Sequence, residues 1–158
     1  MCRRDRRQQQ EYKDELPGSG LARVQLRRDT HWEYFYDNNG SPLVRLYRRL
    51  GLLRRNHKCL RSRESFYYFQ QSLQGNHIVA YHRHAPAQDP DPEEFAMVLL
   101  NFADSAGRIS IPFPKAGRWR EMLDADVRST PLDLVIGADG EMHALSVPSN
   151  YGLIFFRV

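Results

Sequence analysis

Cysteine is almost missing from this chain of 158 residues: Cys2 and Cys59 are the only two. Two thiols make no disulfide framework, and neither stands with a second Cys or His at zinc-ligand spacing. Long apolar runs are missing as well. No stretch approaches the roughly 20 residues that span a bilayer. The N-terminal MCRRDRRQQQEYKDEL carries charge with no apolar segment behind it, which does not read as a secretory signal. A reduced, cytoplasmic protein that needs no metal or cofactor is the expectation, with no membrane partner. Acidic side chains are scarce in one region: residues 31–63 hold eight basic and two acidic groups, while residues 64–158 hold seven basic and twelve acidic. A basic front on an acidic back is not the even basicity of a nucleic-acid binder.

What is present suits one domain with an arm. Hydrophobic residues make up 41% and aromatics 11%, enough for a packed core, and a mean hydropathy of −0.64 predicts a solvated surface. Residues 1–30 lack apolar periodicity, close part-way on Pro17-Gly-Ser-Gly20, and read as a flexible basic arm. An aromatic stretch, HWEYFYD, and an Asn38-Asn-Gly40 turn follow. Ser41 and Pro42 then have the order of an N-cap and a first helical residue, predicting a helix over 42–57. Its apolar residues Leu43, Leu46, Tyr47, Leu50 and Leu53 fall at the spacing of one helical face, with Leu52 widening it. Five arginines (Arg45, Arg48, Arg49, Arg54 and Arg55) share the same helix.

From residue 64 the period changes to two. SFYYFQQ and HIVAYHRH predict a hairpin turning near Gly75; APAQDPDPEE is an exposed loop; FAMVLLNFA, RISIPF, RWREML, LDLVIG, EMHALSV and GLIFFRV predict further short strands. Turn residues separate them: Asp104 to Gly107 before RISIPF, Asp139-Gly140 before EMHALSV, and Pro148 to Asn150 before the last strand, which the pattern reads as a closing hairpin. The fold class predicted is all-β, an antiparallel sandwich over 59–158 preceded by one amphipathic helix.

In order, LVRLYRRLGLLRRNHKCLR, IVAYHR, MVLLNF, IPFP, GRWREMLDAD and VPSNYGLIF resemble the C-terminal end of the alpha-amylase superfamily, glycoside hydrolase family 13. HWEYFYD resembles the last barrel loop of some members. The resemblance implies that residues 31–58 are the end of a catalytic (β/α)8 barrel and that the rest is the Greek-key sandwich called domain C. It also implies that the family's catalytic carboxylates lie on barrel strands this chain has no room for. No catalytic residue can be carried over, and the chain is expected to be inactive alone.

Glycoside hydrolysis needs two carboxyl groups flanking a sugar; Asp124 with Asp126, and Asp139 with Glu141, are close in sequence, yet all read as solvated turn acids. Asp89, Asp91, Glu93 and Glu94 lack calcium-loop spacing. His82 and His84 share a strand face without a third metal ligand. Trp32, Trp119 and Tyr151 are the candidates for stacking on the apolar face of a sugar, an alpha-glucan in this family. Against this, Trp119 lies between Arg118 and Arg120, which is the pattern of a core residue on a strand.

The helix is expected to be apolar on two sides, one for the sandwich and one for a barrel. That predicts docking to a separate barrel chain, or self-association, through Leu43, Leu46, Tyr47, Leu50 and Leu53. A module for an anionic partner or nucleic acid, using the helix arginines, is the alternative. The aromatics argue against it, because they lie in the acidic half and are not interleaved with the basic helix.

Overall fold

The computed structural model describes residues 35–70, 73, 75–125, 130 and 132–158. The arm over 1–30, and Trp32 with it, lies outside the described residues. The chain forms two compact units, Met1–Ser41 and Pro42–Val158. In the first, the Asp37 carboxylate accepts the amides of Asn39, at 3.0 Å, and Gly40, and the Asp37 carbonyl accepts Ser41 N–H at 3.0 Å. Helix α1 therefore runs Gly40–Asn56, starting two residues earlier than Ser41-Pro42 suggested. Asp37 serves the orphan amides of the first turn, so Ser41 falls inside that turn.

At its other end, the Arg61 guanidinium donates to the carbonyls of Arg54, at 2.7 Å, and Arg55. A positive charge on the last turn is where the helix dipole favours one. No helix among the described residues is long and apolar enough to cross a membrane.

Among the described residues eight strands follow: β1 Glu64–Tyr68, β2 Ile78–Ala85, β3 Glu94–Asn101, β4 Gly107–Pro112, β5 Gly117–Glu121, β6 Asp133–Ile136, β7 Met142–Val147 and β8 Gly152–Arg157. They build an all-β antiparallel sandwich. One sheet has six strands in the order β1-β2-β3-β8-β5-β6, and the other is the pair β4-β7. The predicted hairpin is present, with Tyr67 opposite Tyr81.

Three turns do something the sequence did not announce. The segment Asp104–Gly107 does not fold β4 back on β3; it sends the chain across to the second sheet, where Gly107 pairs with Val147. Asp139-Gly140 likewise separates β6 from a strand of the other sheet. The last two strands are not a hairpin either, since β8 inserts between β3 and β5. Local turn chemistry reverses the chain, but the choice of sheet depends on distant partners.

Two apolar clusters flank the large sheet. On the inner face, Phe95, Met97, Leu99, Leu153, Phe155 and Trp119 meet Ile109, Ile111, Leu145 and Val147 of β4 and β7. On the outer face, Ala96, Val98, Ile154 and Phe156 lie with Leu53, Cys59 and Leu123. β3 and β8 are thus buried on both sides, while β4 shows simple alternation with Ile109 and Ile111 inward. Asn150 takes a positive φ of 49° ahead of β8. At Gly152 a Cβ would stand 2.8 Å from the Leu99 carbonyl oxygen, so only glycine lets this strand pass so close.

Candidate functional site

The sandwich side of α1 is carried by Leu53, which is 4% exposed, with Leu46 partly buried beside it. Leu43, Tyr47 and Leu50 continue the same helical face away from Leu53, and remain 48%, 69% and 38% exposed. Leu52 is exposed elsewhere on the helix. Of the five helix residues singled out in the sequence, two face the sandwich and three face outward.

Between the N-terminal half of α1 and the turn after β5 lies a groove of about 300 Å³. Pro42, Leu43 and Leu46 form its apolar wall with Leu123, while Arg45, Arg49, Asp124 and Tyr151 bring polar groups. The Tyr151 hydroxyl donates to Asp124 Oδ1 at 2.9 Å, and Arg49 Nε donates to the Met122 carbonyl at 3.1 Å. The turn itself is held by Glu121, a buried carboxylate that accepts Leu123 N–H at 2.7 Å. Tyr151 is positioned by its backbone, whose carbonyl accepts Asn101 N–H at 2.8 Å.

Of the two sugar-stacking candidates among the described residues, Tyr151 lies on a concave surface. Trp119 does not: it is fully buried, its indole N–H donates to the Lys115 carbonyl at 3.0 Å, and Phe113 meets its ring edge-on. Burial on the inner face removes it as a stacking platform. The flanking arginines pin the other side of the strand, both bonding Asp133 and holding its carboxyl well below the usual range, Arg120 first and Arg118 second.

The acids weighed for hydrolysis have structural tasks. Asp139 accepts Ala116 N–H at 2.8 Å and pairs with Lys115 at 3.0 Å, which lowers its pKa. Glu141 accepts the amides of Gly137 and Ala138 at 2.6 and 3.0 Å. Asp126 lies outside the described residues. His82 Nδ1 and the Tyr68 hydroxyl share a hydrogen bond of 2.8 Å, and His84 sits between Glu64 and Glu93 at 3.1 and 3.0 Å. Among the described residues no group of three or more metal-ligating side chains is arranged for a metal ion.

A second polar cluster lies just past the end of α1. His57 Nδ1 donates to Glu94 Oε1 at 2.6 Å, and the Cys59 amide donates to Glu94 Oε2 at 2.9 Å. The grouping of Cys, His and Glu invites comparison with a thiol nucleophile, but burial, reinforced by Glu94, pushes the Cys59 thiol up to about 12. A thiol so protonated and enclosed is inert. The cluster joins the segment after α1 to the start of β3. Its members are 37 residues apart, a pairing no local pattern reveals.

No family model matches the chain, and no curated protein is similar to it. Among solved structures, part of the fold is similar to part of a protein assigned as an alpha-N-acetylgalactosaminidase from Bacillus halodurans C-125. The identity is 10% and the TM-score 0.41, over 58% of this chain and 19% of that one. It is also similar to part of alpha-galactosidase I from Mortierella vinacea, at 11% identity and a TM-score of 0.37, over 58% of this chain and 22% of that one. The matched region thus spans about a fifth of each of those chains. Neither is named an amylase.

Proposed function

We propose that this chain is the non-catalytic β-sandwich of an alpha-amylase-like glycoside hydrolase, whose helix holds the sandwich against a catalytic barrel. The observation that carries the reading is an apolar face of α1 wider than its contact with the sandwich. Leu53 and Leu46 meet the sandwich, and Leu43, Tyr47 and Leu50 continue the same face into solvent. Full burial of a leucine is worth roughly 1.5–3 kcal/mol, so covering Leu43 and Leu50 together with Tyr47 would favour a partner. Contact with alpha-glucan is the second task of the domain in this reading.

The test mixes the 158-residue chain with a (β/α)8 barrel of an alpha-amylase-type enzyme made without its own C-terminal sandwich. A complex in sedimentation that hydrolyses maltodextrin faster than the barrel alone, and that Leu50→Glu abolishes, is the expected result. Absence of any complex, or hydrolysis by the isolated chain, refutes it. The helix arginines favour a second reading, an anionic partner; there a salt-sensitive shift of duplex DNA would survive Leu50→Glu and be lost on replacing Arg45, Arg48 and Arg55.

A further inference from the structure

We propose that two copies of this chain pair antiparallel along β1, joining their large sheets across a two-fold axis at Phe66. Among the described residues β1 pairs with β2 alone, so it is an edge of the sheet. Backbone groups of alternate residues on such an edge point away from the sheet and need a partner or water. Edges are commonly guarded by charge, proline or a bulge. The opposite edge, β6, has four residues and opens on Asp133, held by Arg118 and Arg120. β1 has five residues in unbroken register with β2, and it contains no proline or lysine. It is aromatic instead: Phe66, Tyr67 and, one residue beyond the strand, Phe69 are 56%, 46% and 80% exposed.

These rings lie on both faces of the sheet. Phe66 stacks on His82 on the inner face, with centroids 5.5 Å apart. On the outer face Tyr67 meets Tyr81 at 5.0 Å and Phe69 at 6.4 Å. A partner lying on one face would leave the rings of the other in water, whereas a strand added at the edge covers both. A second β1 is the strand that fits. Outward-pointing backbone groups alternate, so in a two-fold pair each residue must meet one of its own parity. With Phe66 opposite Phe66, Ser65 meets Tyr67, Glu64 meets Tyr68 and Arg63 meets Phe69. No like charges oppose each other in this register. The exposed Arg63 guanidinium, without a hydrogen bond or ion pair among the described residues, gains a ring on each side of the axis. At these exposures the three aromatic side chains leave roughly 350 Å² per copy to bury. Even with the strand backbone added, that falls short of the roughly 800 Å² a side of a standard interface, so the dimer is a reversible one. None of these residues lies on α1, and the pairing is independent of any barrel.

Sedimentation equilibrium of the full chain over roughly 1–300 µM should show a reversible association that stops at two copies, because the pair uses up both edges. Phe66→Lys sets two cations face to face on the axis and should weaken the dimer roughly tenfold or more. Leu50→Glu, on the helix, should leave it unchanged. Phe69 is exposed and lies outside the strand, so its variants test the register with folding not at stake. Phe69→Lys brings a second cation to Arg63 and should weaken the dimer roughly threefold to tenfold, whereas Phe69→Glu offers Arg63 an ion pair and should not. A monomer at every concentration overturns the proposal and leaves the edge to a strand of another protein. Growth beyond the dimer, loss of the dimer in Leu50→Glu, or equal effects of the two Phe69 variants each overturns it as well.

Discussion

The imidazole of His57 lies on the ring of Phe156, with centroids 3.7 Å apart and planes 23° apart. The stack fixes the residue just past α1 to the strand nearest the C-terminus, and it aims His57 Nδ1 at Glu94. Glu94→Gln keeps the shape but weakens acceptance from both His57 and the Cys59 amide, so a loss of roughly 1–3 kcal/mol is expected in the free energy of unfolding by urea. Burial works to raise the Glu94 pKa, but the Cys59 amide and then His57 outweigh it, and the net direction is down. A carboxyl depressed in the folded state stabilises above its unfolded value of about 4.3 and loses that contribution as pH falls through the folded one. Glu94→Gln should therefore flatten the acid limb of the stability profile; an unchanged limb would mean the cluster contributes nothing there.

The buried and the exposed parts of the apolar face of α1 should respond differently. Leu53→Ala removes a buried side chain and is expected to cost about 2–5 kcal/mol in chemical denaturation. Leu50→Glu and Tyr47→Glu lie on the exposed stripe and should change stability by no more than about 0.5 kcal/mol. A large loss in either outward variant would show that the stripe is part of the chain's own core and not a surface for a partner.

His82 gives a pH dependence near neutrality. Burial lowers its pKa, with the neighbouring His84 adding to the effect, so the folded protein favours the neutral ring, whose Nδ1 is hydrogen-bonded with the Tyr68 hydroxyl. The unfolded chain takes up a proton near pH 6.5, where the folded chain does not. Stability from this group is complete above that value and declines as the pH drops toward the folded pKa. Thermal melting from about one unit above to one unit below the free imidazole value should show the decline. His82→Asn should remove it, and an equal slope in that variant would assign the effect elsewhere.

Much of this architecture is legible in sequence because strands declare themselves locally. The alternation of Arg118, Trp119 and Arg120 places the indole inward, where it lies at the centre of the inner cluster. The spacing of leucines on α1 announces more apolar surface than one sheet needs. What stays hidden is pairing. The turn at Asp104–Gly107 and the turn at Pro148–Asn150 look like hairpin turns, yet each joins strands of different sheets, since register energy comes from partners distant in sequence, such as Val147 for Gly107 and Phe156 for Ala96. The groove was half visible: Tyr151 stands out as an aromatic in a turn, but Asp124 is 27 residues distant and resembles any other loop acid.

The last strand tests how the sandwich is closed. Leu153 and Phe155 enter the core between the sheets, Ile154 and Phe156 the cluster beneath α1, and the backbone pairs with β3 on one side and β5 on the other. Removing residues 153–158 therefore splits the six-stranded sheet and opens both apolar clusters at once, whereas loss of an edge strand would open one. Circular dichroism of the truncated chain should show no cooperative melting transition, and Phe155→Ala alone should cost about 3–5 kcal/mol. A truncated chain that melts at the original temperature would mean that β3 and β5 close the gap without it. The Gly152 backbone, packed against the Leu99 carbonyl, argues otherwise, because that fit exists only when β8 is in place.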